Sequence, residues 1–339
     1  MTSLEQAERP VVDVRNLSVR YGGTGLRRSA GVLAANDVSF SIVSGRTLGI
    51  AGESGSGKST VARALMRVVE SSGGTMEVAA HDVGRLSGRA LRSFRKHMQM
   101  VFQDPYDSLN SRLTVSENIA EGLVAAGVRR PDHAVRVREL LAQVGLPTEF
   151  ARRYPHQLSG GQRQRVSIAR ALAVEPEVLV CDEAVSALDV SIRAQLLNLL
   201  KDLQQRYGIA LLFISHDLST LRFIADDVAI MYFGRIVETG PAEVVFADPR
   251  HPYTRALIDA VPEPGVKRSY PRSRVSGEAP SHDDRPTGCA FASRCPLASE
   301  ICRDRDPALE ARANGAAVAC HHADVAETSS ARPTSEVPR

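Results

Sequence analysis

The order of apolar and polar residues divides the chain into strand-like and helix-like segments. Continuous apolar runs, typical of strands buried on both faces, end in glycine, hydroxyl or carboxylate residues. The runs are residues 47–51, 177–183 and 209–214, with a shorter one at 98–102. Before them, residues 11–20 look like an opening strand, and Val38, Phe40 and Ile42 alternate with serines as in a half-buried strand.

Helical spacing fills the intervals between these strands. Apolar residues recur at helical intervals over residues 114–146, in a helix that Ser159 would cap, and in a helix that follows Asp189. Residues 228–240 are typical of a hairpin, whereas the pattern between residues 73 and 95 is weak. Strands that alternate with helices predict an α/β fold, here with a helical insert.

The segment between the strand at 47–51 and a helix at 61–66 fits the phosphate-loop pattern G-x-x-x-x-G-K-[ST] without a mismatch. It reads Gly52-Glu53-Ser54-Gly55-Ser56-Gly57-Lys58-Ser59-Thr60. Glycines let the backbone approach phosphates, while the N–H groups and the helix N-terminus supply positive potential. Lys58 and Ser59 would reach the phosphates and Mg²⁺. The alternative is a chance glycine-rich turn, which the flanking strand and helix disfavour.

Further polar residues stand where helices begin and strands end. Leu158-Ser159-Gly160-Gly161-Gln162 opens a helix and would form a second anion site, which one phosphate loop on the same chain would not need. Asp182 suits Mg²⁺ coordination, and Glu183 suits polarising a water. His216 and Gln103 follow other strands, at the edge where open α/β sheets bind ligands. Taken singly, such a histidine or glutamine is more often structural or solvated.

Composition removes several classes of function. A chain of 339 residues has room for a real core, and its net charge of +3 gives no basic surface that would favour nucleic acid. No run approaches the ~18 apolar residues of a membrane span, and the start lacks the regions of a signal peptide. We therefore expect a cytosolic protein whose five cysteines are not a disulfide framework.

The motifs, in this chain order, resemble those of the nucleotide-binding domain of ABC (ATP-binding cassette) proteins. They are the phosphate loop, Gln103, Leu158 to Gln162, Asp182-Glu183, Ser186 to Asp189 and His216. The resemblance covers roughly residues 10–262. It implies a phosphate-loop, RecA-like core with an antiparallel β subdomain and a helical subdomain, hydrolysis of ATP to ADP and phosphate, and two ATP sites shared across a head-to-tail dimer.

The resemblance also implies a role for each motif residue. Glu183 would be the general base, His216 would contact the γ-phosphate, and Gln103 would sense it. Mg²⁺ would be held by Ser59, Gln103 and Asp182. ATP would be bound by Tyr21, Ser54, Gly55, Ser56, Gly57, Lys58, Ser59, Thr60, Ser159, Gly160, Gly161, Gln162 and Asp189, with Ser159 and Gly161 serving the ATP of the other subunit. For Tyr21, stacking on adenine and ordinary packing remain open. Ala184 departs from the proline that usually follows the glutamate.

Three further stretches are similar to the ATPases of dipeptide/oligopeptide importers. They are Val101 to Pro105 with Ser108 to Asn110, His251 to Leu257, and the cysteine-rich tail. This implies a peripheral protein at the cytoplasmic face of the inner membrane that energises uptake of peptides. Its partners would be a second ABC ATPase subunit, either a paralogue or a second copy, two transmembrane permease subunits and, through them, an extracytoplasmic solute-binding protein. Nucleic acid is not an expected partner.

Other functions remain to be distinguished from peptide import. One alternative is an importer of another small solute such as nickel. A soluble ABC ATPase of DNA repair or chromosome structure is disfavoured, because only about a hundred residues separate the phosphate loop from the second anion site, too few for the usual coiled-coil insert. A redox sensor with regulatory ATP is a further minor alternative.

Four cysteines crowd the C-terminal part, at Cys289, Cys295, Cys302 and Cys320. Four thiols grouped in a cytosolic chain are typical of a metal site, and zinc, a mixed set with His321 or His322, an iron-sulfur cluster and no metal all remain open from the residues. The resemblance to peptide-importer ATPases favours a 4Fe-4S cluster. We predict a nucleotide-binding domain over residues 1–265, with its helical subdomain at about 104–165, a cysteine-rich extension over 266–322 and a disordered end over 323–339.

Overall fold

The computed structural model describes residues 9–22, 31–102, 108–261 and 285–324. Within these ranges the strands form two sheets, one of four strands and one of eight. In chain order the strands are β1 (Val12–Tyr21), β2 (Val32–Ile42), β3 (Thr47–Ala51), β4 (Gly73–Val78), β5 (His81–Asp82), β6 (Met98–Val101), β7 (Val178–Asp182), β8 (Ala210–Ile214), β9 (Asp227–Tyr232), β10 (Arg235–Pro241), β11 (Glu310–Ala311) and β12 (Ala317–Val318).

The larger sheet has the order β11-β12-β10-β9-β3-β8-β7-β6. Its strands β9, β3, β8, β7 and β6 run parallel. The strands β10, β12 and β11 are antiparallel additions at one side, so the C-terminal extension continues the same sheet. The smaller sheet is antiparallel, with the order β2-β1-β4-β5.

Helices cover the parallel strands and form the insert between β6 and β7. In chain order they are α1 (Lys58–Leu65), α2 (Gly88–Phe94), α3 (Val115–Ala126), α4 (His133–Gln143), α5 (Gly160–Leu172), α6 (Val190–Tyr207), α7 (Leu218–Ile224), α8 (Ala242–Ala247), α9 (Pro252–Asp259) and α10 (Glu300–Asp304). No helix in the described parts of the chain is long and apolar enough to cross a bilayer.

Side chains of the parallel strands alternate between two hydrophobic cores, because successive residues of a strand point to opposite faces. Val178 and Val180 join the core shared with the smaller sheet and α1. Leu179 and Cys181 join the core on the helical side. The sheet is therefore buried on both faces, which explains why its strands appear in the sequence as unbroken apolar runs.

Several predicted elements are confirmed, and the helical insert differs in detail. The hairpin at 228–240 is β9 and β10, and Gly208 ends α6 in a left-handed conformation. The periodic segment 114–146 is two helices, because Gly127 ends α3 at φ 82° before α4 begins. The weak pattern between residues 73 and 95 contains β4, β5 and α2.

Candidate active site

The parallel arrangement brings the carboxyl ends of β3, β7 and β8 to one edge of the larger sheet. The phosphate loop follows β3, the Asp182-Glu183 pair ends β7, and Ser215-His216 follows β8. In open α/β sheets, ligands bind at this edge. The fold therefore assembles three of the predicted motifs, although the phosphate loop lies more than a hundred residues before the other two in the chain.

The phosphate loop turns sharply from β3 into α1, and its glycines are needed for that path. Gly57 is the N-cap of α1 at φ 102°, and a Cβ there would lie 2.2 Å from the Ala34 carbonyl oxygen. Gly52 has φ 154°, and a Cβ there would lie 2.2 Å from the Met231 carbonyl oxygen. A Cβ at Gly55 would meet no atom within 4 Å, so there is open space beside the loop. The loop is therefore a closely packed turn with open space beside Gly55.

Lys58 is folded into the loop that precedes it. Its side chain is buried, and Nζ donates hydrogen bonds of 2.8 Å to the carbonyl oxygens of both Gly52 and Glu53. Burial lowers the pKa of Lys58, while the charges of Glu183, Asp182 and Glu53 oppose that shift. The ammonium group is thus a partly desolvated positive charge at the loop, and it becomes a stronger partner for phosphate than a solvated lysine.

Ser59 and Asp182 meet where α1 begins beside the end of β7. The Ser59 hydroxyl donates a 2.9 Å hydrogen bond to Asp182 Oδ1. Burial raises the pKa of Asp182, and the bond from Ser59 opposes this. Mg²⁺ at nucleotide sites commonly takes one or two protein oxygens and fills its remaining positions with water and phosphate oxygens. The hydroxyl and carboxylate pair fits that donor set.

Glu183 and His216 face each other across the ends of β7 and β8. His216 Nδ1 lies 3.3 Å from Glu183 Oε1, and the His216 side chain is 59% exposed against 21% for that of Glu183. The Glu183 backbone has φ 50°, a conformation that most residues avoid, and its N–H donates to the Ile214 carbonyl. The backbone bond holds the strained residue in place and aims its carboxylate toward the exposed histidine.

The second predicted anion site lies at the start of α5. The Ser159 hydroxyl accepts from the Gln162 N–H, and the Ser159 N–H donates to Gln162 Oε1, so the two residues form a capping box. Gly161 packs against α6, where a Cβ would lie 2.4 Å from Ile192 Cγ2. Ser159 is exposed, as a contact to another molecule requires.

The remaining predicted site residues lie away from the contacts described above or outside the described residues. Tyr21 is 37% exposed at the end of β1. Asp189 is exposed at the N-cap of α6. Gln103 lies outside the described residues, although Gln164 of α5 donates to the Phe102 carbonyl just before it. The roles assigned to these side chains stay predictions.

Several contacts around the site had no signal in the motifs. Arg193 of α6 pairs with Asp217 at 2.9 Å and also donates to the Leu188 carbonyl, which joins the segment before α6 to the segment after His216. Glu53, whose position the phosphate-loop pattern leaves unspecified, accepts two hydrogen bonds from Arg294 of the extension. A contact between residues 241 positions apart leaves no trace in local periodicity.

The four tail cysteines lie in one small unit and interact with one another. The Cys289 N–H donates to the Cys302 carbonyl, and the His322 N–H lies 3.4 Å from Cys320 Sγ. Burial raises the pKa of Cys289 to about 12 and that of Cys320 to about 11, with smaller contributions from neighbouring thiols. Across the described ranges, however, no three His, Cys, Asp or Glu side chains are arranged to hold a metal ion.

Comparisons with known proteins agree with this geometry. The profile of the ABC transporter family matches residues 35–186, and that of the oligopeptide/dipeptide transporter C-terminal region matches residues 237–302. A protein of Brucella abortus (strain 2308), described as a putative peptide import ATP-binding protein, is 51% identical over 290 residues, covering 85% of this chain and 86% of the relative. The chain belongs to the ABC transporter family of ATP-binding proteins.

Solved structures show the same fold. The cbiO1 protein of Clostridium perfringens, part of the ABC transporter complex cbiONQ, aligns with a TM-score of 0.64 at 28% identity, covering 71% of this chain and 92% of that one. The ATP-binding cassette MJ0796, in a dimeric post-hydrolysis state with ADP and Pi, aligns with a TM-score of 0.60 at 28% identity, covering 68% and 98%. The predicted fold class is confirmed, and the chain is an ABC-type ATPase.

Proposed function

We propose that this chain is the ATP-hydrolysing subunit of an importer for di- and oligopeptides. The observation that carries the choice of solute is the match of residues 237–302 to the oligopeptide/dipeptide transporter C-terminal region, in a chain whose close relatives are described as peptide import proteins. This region is in contact with the catalytic core, since Tyr253 accepts a hydrogen bond from the Glu53 N–H of the phosphate loop. An importer of another small solute, such as nickel, is the second candidate.

Reconstitution with a permease tests the solute. The chain, its partner ATPase, two permease subunits and the solute-binding protein are placed in vesicles with ATP on the side that the ATPases face. We expect ATP-dependent transport of a labelled dipeptide or oligopeptide that excess unlabelled peptide suppresses and Ni²⁺ does not. Transport of labelled nickel without peptide transport would favour the second candidate.

The site supports a division of labour in hydrolysis. Residues Ser54 to Thr60 would hold the triphosphate, with Lys58 as the charged contact. Mg²⁺ would be held by Ser59, Asp182 and Gln103. Mg²⁺ held there would neutralise charge that develops on the phosphates. Glu183 would take a proton from the attacking water, and His216, which lies 3.3 Å from it, would position that water or contact the γ-phosphate.

Replacement of the base separates binding from chemistry. We expect Glu183→Gln to abolish turnover and to leave ATP binding intact, because the amide has nearly the same shape but cannot accept the proton. Single-turnover hydrolysis and equilibrium binding of radiolabelled ATP measure the two effects. Asp202→Asn, a change of the same chemical kind on α6, is the control. Wild-type turnover in Glu183→Gln would remove Glu183 from the mechanism.

The partners and location follow from the same proposal. The phosphate loop and the α5 start would each complete a site with the opposite element of a second ATPase subunit, so that ATP joins the two subunits. The assembly would lie at the cytoplasmic face of the inner membrane, against two permease subunits that receive peptide from a solute-binding protein. The dimeric state in which MJ0796 was solved supports the pairing.

We propose further that the tail cysteines hold a 4Fe-4S cluster, with Zn²⁺ as the alternative. Four thiols within one small unit support this, although their described arrangement is not that of a formed ligand set, so the side chains would have to move on binding. Iron and acid-labile sulfide assays after anaerobic purification test it. We expect near-equal iron and sulfide, and colourless protein loaded with zinc would contradict the cluster.

A further inference from the structure

Glu53 of the phosphate loop is held at three points. Its N–H donates a 2.8 Å hydrogen bond to the Tyr253 hydroxyl of α9. Its carbonyl accepts the 2.8 Å bond from Lys58 Nζ. Its carboxylate accepts bonds of 2.8 and 3.0 Å from the two terminal nitrogens of Arg294, a bidentate pair. Glu53 therefore connects Lys58, the proposed phosphate contact, to the C-terminal extension.

Arg294 is itself fixed from several sides. Its side chain is only 11% exposed, and one terminal nitrogen lies 3.4 Å from the Tyr232 hydroxyl. The guanidinium lies 5.8 Å from the ring centres of both Tyr232 and Phe291. Phe291 is almost fully buried and packs edge-on against Tyr232, with ring centres 5.2 Å apart. A partly buried, bidentate pair in such a setting constrains geometry more than a surface ion pair does.

We propose that Arg294 is a positioning residue for the ATP reaction, which holds the phosphate loop in its nucleotide-binding conformation through Glu53. The chain of contacts runs from Arg294 to the Glu53 carboxylate, and from the Glu53 carbonyl to Lys58 Nζ. If the ion pair is lost, the bond from the Glu53 N–H to Tyr253 is what still ties Glu53 to described residues outside the loop. The loop then samples other conformations. Since apparent affinity falls with the fraction of binding-competent loop, ATP and ADP would both bind less tightly.

The inference rests on the proposed role of the phosphate loop in nucleotide binding, and the experiment separates the two. Equilibrium binding of Mg-ATP and Mg-ADP, with KM and kcat for ATP hydrolysis, is measured on the full-length chain. We expect Arg294→Gln to raise the dissociation constants and KM about fivefold, in line with a fall of the competent fraction to about a fifth, and to leave kcat near the wild-type value. Arg294→Lys, which keeps the charge but not the two-point contact, should give an intermediate result.

Arg312→Gln is the matched control. Arg312 forms an ion pair of 2.9 Å with Asp324 inside the same extension, and its side chain is 26% exposed. We expect this variant to keep wild-type nucleotide affinity. A purely structural effect of losing an ion pair in the extension would lower thermal stability or the active fraction without changing KM, so this result in Arg294→Gln would overturn the inference. An equal rise of KM in Arg294→Gln and Arg312→Gln would also overturn it, because the effect would then not depend on the contact with Glu53.

Glu53→Gln supplies a second variant should Arg294→Gln fail to fold. It should weaken nucleotide binding by the same factor, and the double variant should be no weaker than either single one, because both remove the same contact. Independent, multiplying effects or unchanged affinity in both variants would overturn the inference. Wild-type chain that binds no ATP would instead reject the proposed function.

Discussion

His251 illustrates how one buried side chain organises the segment beside the phosphate loop. Its Nδ1 accepts a hydrogen bond from the Tyr253 N–H, which caps α9, and its own N–H donates to the buried Glu238 carboxylate. Burial lowers the pKa of His251 to about 3. The ring is therefore neutral in the folded chain near neutral pH, and its lone pair is the cap that sets the position of Tyr253.

The depressed pKa of His251 predicts acid sensitivity of folding. Between pH about 3 and 6.5 the unfolded chain binds a proton on this imidazole and the folded chain does not. Stability from this group is thus complete above 6.5 and decreases as pH falls, by up to ~1.4 kcal/mol per pH unit. We expect the His251→Asn chain, which retains an N-capping side chain, to be less stable than wild type at pH 7 but to lose this dependence of stability on pH. Urea unfolding at pH 7, 6 and 5 measures the free energy of unfolding of both chains.

The neighbouring Glu238 carboxylate changes the pH dependence of stability in the opposite direction. Burial raises the pKa of Glu238, so above its ordinary value the folded chain keeps a proton that the unfolded chain has released, and stability falls as pH rises through that window. Glu238 is present in both the wild-type chain and the His251→Asn variant, and it accepts a backbone N–H of residue 251 in either case. The difference between the two slopes therefore isolates the imidazole, and parallel pH profiles would contradict a neutral His251.

Single residues were predictable where a motif specifies them. Lys58, Ser59, Asp182 and Glu183 lie together at the sheet edge, because the pattern fixes each one relative to a strand or helix end. Arg294 was not predictable as a partner of Glu53, since the motif leaves that position open and the contact depends on how the extension folds back.

At the scale of elements, two helices in different parts of the fold begin with the same capping box. Ser159 and Gln162 form a capping box at α5, and Thr114 and Glu117 form one at α3. In both, a side-chain oxygen accepts an N–H that would otherwise lack a partner, and the third helical residue bonds back to the cap. The first box lies at the proposed second anion site and the second in the helical insert.

The two boxes allow stability to be separated from catalysis. We expect Ser159→Ala and Thr114→Ala each to lower the free energy of unfolding by ~1 kcal/mol. Only Ser159→Ala should also lower ATP hydrolysis, by ~10-fold or more, because of the two residues only Ser159 is proposed to donate to the partner's nucleotide. Urea melts and steady-state hydrolysis measure both, and equal losses of activity would contradict the role of Ser159.

Elements were predictable where an apolar pattern, continuous or alternating, extends over enough residues. The strands of the larger sheet appear as apolar runs because both faces are covered, whereas in β4 only Met76 and Val78 are buried, which leaves too few apolar positions for a pattern. The break between α3 and α4 follows Gly127, and the sequence does carry signals for it, because Gly127 and Pro131 lie in or beside the polar stretch 129–132 that separates the two apolar patterns.

At the scale of the whole molecule, the proposed function gives each chain both halves of an ATP site, on different elements. The phosphate loop lies between β3 and α1, and Ser159 opens α5 after the helical insert. The sheet order brings the phosphate loop, Asp182 and His216 together as one proposed half, and the exposed Ser159 would supply the other half to a second subunit. A head-to-tail pair would complete two sites at once.

A mixing experiment tests this division directly. Lys58→Ala removes the loop cation, and Ser159→Ala weakens the opposite half-site, so each variant alone should hydrolyse ATP poorly. In a mixed dimer, the loop of the Ser159→Ala chain meets the intact Ser159 of the Lys58→Ala chain, and one complete site forms. We therefore expect activity to appear on mixing, as measured by phosphate release.

The control mixes the Lys58→Ala chain with a chain that carries both Glu183→Gln and Ser159→Ala. This mixture should release no phosphate, because the one complete pair of half-sites in the mixed dimer lacks the Glu183 base. If the first mixture stays inactive while wild-type chain alone is active, each chain holds its nucleotide without a partner's Ser159.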